Sequence, residues 1–125
     1  MGPISSQHGT QGIFGGEGIA GPDLAKTIRE AADDDSIKAI VMRVDSPGGS
    51  AIGSDYVRRE IELAKAKGKP FMVSMGTVAG SGGYWISMDA DKIVAQPSTL
   101  TGSIGVVFMK LNIRGFYEWI GANID

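Results

Sequence analysis

The 125-residue chain has no cysteine, a single histidine and no long apolar run. Without cysteine, disulfides and thiolate metal sites are excluded, although the redox compartment stays open. No stretch reaches the roughly 18 apolar residues of a membrane-spanning helix. Met1-Gly2-Pro3-Ile4-Ser5-Ser6 also lacks the basic start and apolar core of a secretory leader, so the chain as given is expected not to target itself. Neither sign of charge dominates. Twelve basic against fourteen acidic side chains give a net charge of −2, and the basic residues form no run, so nucleic acid is not an expected partner.

What the chain has in quantity is glycine, 19 residues, beside a hydrophobic content of 42% that suffices for the core of one domain. The glycines cluster. Residues 7–21 hold six of them and read as a mobile loop carrying the only histidine, His8, whose ordinary fate there is a solvated ring. Gly16-Glu17-Gly18-Ile19-Ala20-Gly21 matches the dinucleotide-binding pattern G-x-G-x-x-G, but no strand of adequate length feeds it, so no cofactor is expected. Residues 22–32 predict an amphipathic helix, with Pro22 suited to its first turn, Asp23 at its positive end, and Leu24, Ile28 and Ala31 on one face. Asp33-Asp34-Asp35-Ser36 then reads as a solvated acidic turn without the spacing of a calcium loop, and no metal is expected.

The β-branched run over residues 37–44 predicts a strand covered on both faces, as in parallel sheets. It ends at Asp45-Ser46-Pro47-Gly48-Gly49-Ser50, where consecutive glycines let bare N–H groups approach a ligand and Pro47 fixes the entry angle. Ser54 is expected to cap a helix over residues 55–67, with Val57, Ile61 and Ala64 inward and Gly68 ending it. Residues 69–75 predict a short buried strand, and Gly76 to Gly80 a sharp turn. Ser81 follows, flanked by Gly80, Gly82 and Gly83, ahead of a helix over 84–88 whose free N–H groups would face an oxyanion forming beside the hydroxyl. Acyl transfer needs that geometry. The stretch is similar to a nucleophile elbow, with Ala79 at the first glycine position of G-x-S-x-G. The plainer alternative is a glycine-rich helix start with Ser81 as its cap.

Beyond it, residues 91–95 predict a strand, 96–103 a hydroxyl-rich turn, 104–108 a strand and 115–120 a helix. The Met and aromatic residues are expected in the core. The recurrence of strand, turn and helix gives an α/β class with a largely parallel sheet. In such sheets ligands bind at the carboxyl ends of strands, so the Gly48–Gly49 and Ser81 turns should face one cleft. Ala51-Ile52-Gly53 and Ile104-Gly105-Val106 are expected to flank it as free edges for an extended peptide with small or apolar side chains.

Together, Val44-Asp45-Ser46-Pro47-Gly48-Gly49-Ser50, Gly80-Ser81-Gly82-Gly83-Tyr84-Trp85-Ile86-Ser87 and Thr99-Leu100-Thr101-Gly102-Ser103-Ile104-Gly105 resemble the signal peptide peptidase A (protease IV) family over residues 16–107. The resemblance implies a superhelix of ββα units like that of crotonase and caseinolytic protease, and a serine peptidase cutting signal-peptide remnants. It makes Ser81 the nucleophile, with Gly82 and either Gly48 or Gly49 forming the oxyanion hole, and Ser103 orienting the base. The family's base is lysine, and no histidine follows Ser81. A lysine can serve if desolvation lowers its pKa, but Lys92 and Lys110 are expected to be solvated, so the base should lie outside a chain that reads as a truncated serine-bearing domain, 1–125. The full-length parent is expected to be a membrane-anchored homo-oligomer of the bacterial cell envelope. Two other readings stay open. One is a non-catalytic peptide-binding or assembly module of the same fold, and the other, weaker, is a crotonase-like acyl-CoA enzyme.

Overall fold

The computed structural model describes residues 2–7 and 18–106, together with Asn112, Trp119 and Gly121. His8, Lys110 and most of the predicted glycine-rich loop and C-terminal helix lie outside them. At the loop's far end, Ile19–Ala20 (β2) is a short strand pairing in parallel with Ile4–Ser5 (β1). The first helix, α1, runs Gly21–Asp33 with Pro22 in its first turn and Ala25, Ile28 and Ala32 buried.

β3, Ile40–Ser46, and β4, Phe71–Gly80, form the centre of a wholly parallel four-stranded sheet. β3 occupies one side of β4. β5, Lys92–Val94, pairs with the start of β4 on the other side, and β6, Leu100–Gly102, with its end. Burial alternates along β3, and Met42, Val44, Phe71, Val73, Met75 and Ala79 pack against Ile28 and Ala32 of α1 and Val57, Ile61 and Ala64 of the second helix. Fully burying side chains such as Phe71, Ile61 and Val57 contributes about 1.5–3 kcal/mol each. The buried Glu60 carboxylate would be costly alone, and Arg29 donates to it through both Nε and Nη2.

Several local expectations are corrected. The second helix, α2, spans Ala51–Ala66 and is capped by Ser50, whose Oγ accepts the Gly53 N–H at 3.1 Å. Ser54 instead donates its hydroxyl to the Ser50 carbonyl. Ala51, Ile52 and Gly53 are therefore the first turn of a helix and present no strand edge. Gly76 to Gly80 do not turn, because β3 and β6 hold this stretch as strand from both sides. Residues 96–103 are not one turn, since Leu100–Gly102 is the strand that does so. Residues 104–106 adopt no regular element.

Candidate active site

The chain turns one residue after β4, at Ser81, with φ 49° and ψ −116°. Its N–H donates to the Gly102 carbonyl at 2.9 Å, its carbonyl accepts the Trp85 N–H at 2.9 Å, and its side chain makes no capping bond. The one-turn helix α3, Gly82–Trp85, starts in a space that only glycine fits. A Cβ on Gly82 would lie 2.5 Å from Ser54 Oγ, and one on Gly83 2.6 Å from the Ser46 carbonyl.

The second glycine turn abuts the first. A Cβ on Gly48 would meet both Ser81 Cβ and Gly82 N at 2.7 Å. Gly48 has both backbone groups engaged, its N–H donating to Ser46 Oγ at 3.2 Å and its carbonyl accepting the Ile4 N–H at 2.8 Å. Ser50 N–H donates to the Ile4 carbonyl, so Gly49, bridged to Ile4 in parallel register, turns its own N–H away from β1. Gly49 and Gly82 both line a cleft of about 540 Å³ that opens on Ser81; Gly48 does not.

Other walls of the cleft include Ala51, Ser103, Ile104, Gly105 and Val106. Of the six residues expected at substrate, Ile52 instead points to solvent at 62% exposure, and Gly53 is buried with its Cβ position 2.4 Å from the Ser5 carbonyl. Ser103, at φ 51°, follows the Gly102 that holds Ser81. Tyr84, Trp85 and Met88 also line the cleft, although the Met and aromatic residues were expected in the core. A signal for them existed: positions 81, 84, 85 and 88 share one face of a helix. Trp85 carries a buried indole N–H with no hydrogen-bond partner among the described residues.

Among the described residues, the cleft is lined by no charged side chain. Lys92 pairs with Met72, nine residues before Ser81 on the chain and so about 30 Å away along the strand at ~3.3 Å per residue. The displaced pKa values belong to other places. The Phe71 N–H and then Lys65 hold the Asp91 carboxyl below its ordinary 3.8, at the start of β4. Asp55 and Asp89 raise the Arg58 guanidinium above its already high value. Among the described residues no three His, Cys, Asp or Glu side chains gather as a metal site, and no helix is long and apolar enough to cross a membrane.

A sequence model of peptidase family S49 matches residues 63–125. Protease 4 of Haemophilus influenzae is 47% identical over 109 residues, covering 87% of this chain and 18% of that protein. The chloroplastic serine protease SPPA of Arabidopsis thaliana is 46% identical over 108 residues, covering 86% and 16%. The chain thus spans less than a fifth of the length of these curated relatives. Among solved structures, the Pseudomonas malonate decarboxylase MdcD–MdcE hetero-dimer matches with a TM-score of 0.60 at 19% identity, over 81% of this chain and 43% of that one. That likeness is one of fold, of the crotonase type.

Proposed function

Because the chain belongs to peptidase family S49, a family of serine peptidases, we propose that Ser81 is the nucleophile of an endopeptidase that cuts membrane-associated signal peptides with a lysine as general base. One observation carries the reading: a serine at positive φ, its side chain making no capping bond, at a strand-to-helix turn in a cleft that Gly49 and Gly82 also line. Ser81 Oγ attacks the peptide carbonyl, its proton passes to the lysine, and the N–H groups of Gly82 and Gly49 stabilise the oxyanion. Such preorganised donors are worth about 10²–10³-fold each. The lysine then returns the proton to the leaving amine, and water releases the acyl group from Ser81. Ser103, on the rim of the same cleft, orients the lysine.

The lysine is supplied from outside this chain, by another part of the full-length protein. Trp85, Met88, Ile104 and Val106 give an apolar cleft, and the irregular backbone of 104–106 offers hydrogen bonds to an extended peptide, which suits small or apolar substrate side chains. Anchoring of the parent in the bacterial envelope as a homo-oligomer belongs to the same proposal.

The test is labelling of the full-length protein with a fluorophosphonate. The expected adduct is on Ser81, lost in Ser81→Ala and suppressed by replacing one lysine with methionine. An adduct elsewhere, or peptide cleavage that survives Ser81→Ala, overturns the reading.

A further inference from the structure

The pairing of β3 with β4 is interrupted at one place. Val44 faces Met75, but Ser46, two residues on, faces Ala79, four residues on. β4 therefore carries two extra residues in this interval. A one-residue slip would have turned the rest of the strand inside out, whereas a slip of two keeps Met75 and Ala79 on the same buried face.

The slip decides what lies opposite the glycines. In uninterrupted register Ser46 would face Thr77, and counting forward would set Gly48 opposite Ala79 and Gly49 opposite Gly80. With the two extra residues, Gly48 comes opposite Ser81 and Gly49 opposite Gly82, in agreement with the 2.7 Å approach of a Gly48 Cβ to Ser81 Cβ and Gly82 N.

A bulge leaves backbone groups without ladder partners, and side chains from β3 and from the residue just before β6 supply them here. Asp45 Oδ1 accepts the Val78 N–H at 3.1 Å, and Thr99 Oγ1 donates to the Gly76 carbonyl at 2.9 Å. The Asp45 carboxyl occupies the room where a Gly76 Cβ would stand, 2.6 Å from Asp45 Cγ. We propose that Asp45 is a positioning residue whose carboxyl oxygen holds the two-residue bulge in β4 and thereby sets Ser81 and Gly82 opposite Gly48 and Gly49. The inference rests on Ser81 being the nucleophile. Asp45 touches no reacting atom and acts through the strand.

The experiment is saturation kinetics of fluorophosphonate labelling on the full-length protein, with thermal unfolding in parallel. Asp45→Ala is expected to lower the saturating labelling rate about 10- to 100-fold, the scale of a 1 Å misplacement, with little change in the half-saturating concentration. Asp45→Asn keeps the acceptor oxygen and should restore the rate to within about threefold of wild type, on the standing of a retained neutral hydrogen bond. If Asp45→Ala fails to fold, Thr99→Val, which removes the other side-chain bond to the bulge, decides, with a slower saturating rate expected. A lower melting temperature with an unchanged saturating rate, in whichever variant folds, overturns the proposal, as does an Asp45→Asn protein as slow as Asp45→Ala. Wild type left unlabelled at Ser81 overturns the nucleophile reading itself, and this one with it.

Discussion

At Gly48 and Gly49 the backbone takes φ values of 105° and 146° with glycine, while beside them Ser81 and Ser103 take φ 49° and 51° with residues that carry a Cβ. A non-glycine residue in such a region costs of order 1–3 kcal/mol. The difference follows from what each turn contributes to the cleft. The Gly48–Gly49 turn supplies backbone and close approach, since a Cβ on Gly49 would stand 2.2 Å from the Ile4 carbonyl. The turn at Ser81 supplies a hydroxyl, and glycine has none. On the proposed reading, strain is retained where the chemistry needs the side chain and avoided where it needs only the N–H.

The strongest way to break this contrast is at Ser81. Ser81→Ala and Ser81→Gly should both abolish fluorophosphonate labelling, by at least about 10³-fold on the scale of nucleophile deletions. Only Ser81→Gly relieves the backbone, so in chemical denaturation it should be the more stable of the two by roughly 1 kcal/mol; equal stabilities would show that Ser81 is not strained. Gly49→Ala attacks the other turn. Its Cβ has no room against Ile4, so a destabilisation of about 2–4 kcal/mol is expected, with labelling lowered about 10²-fold as the Gly49 N–H shifts. A Gly49→Ala protein of wild-type stability would remove the steric argument.

A smaller effect sharpens the contrast between the uncharged cleft and the base of the sheet. Asp91, held below its ordinary carboxyl value by the Phe71 N–H, gives stability that is complete above about pH 4 and lost as pH falls through its folded value. Asp91→Asn should flatten that acid limb of the unfolding curve while leaving Ser81 labelling at neutral pH unchanged; a slower labelling rate would couple the two poles of β4. The smallest effect is at Gly80, which has no positive φ and room for a Cβ 3.8 Å from the Pro47 carbonyl. Gly80→Ala should stabilise the protein by roughly 0.5 kcal/mol with labelling within about twofold of wild type. Loss of labelling would mean that Gly80, like Gly48, stands where a Cβ harms the cleft.

Much of the fold can be read from local pattern. The apolar runs around Ile40 and Phe71 give β3 and β4, the spacing of Leu24, Ile28 and Ala31 gives α1, although Ala25 and Ala32 are buried more deeply than Leu24 and Ala31, and Gly68 marks the end of α2. Ser81 and the glycines around it stand out because each has a local geometric reason. Other features gave misleading local signals. Thr99 and Thr101 look like turn residues, yet their hydroxyls donate to the Gly76 and Ala79 carbonyls and fasten β6 beside β4. Gly76 looks like a turn glycine, yet it is a strand residue that makes room for the Asp45 carboxyl. Ser54 has the right type for a cap, but Ser50 reaches the Gly53 N–H first.

The class of the fold, the family, the serine and the two glycine turns are legible along the chain, because propensity, periodicity and backbone permissiveness are properties of residues and their near neighbours. Which residues lie opposite Ser81 is a tertiary matter. That depends on the offset at which β3 meets β4, and the offset is held by bonds between Asp45 and Val78 and between Gly76 and Thr99. Residues so far apart on the chain carry no shared local pattern. Their agreement exists only once the strands lie side by side and each unpaired backbone group must find a partner.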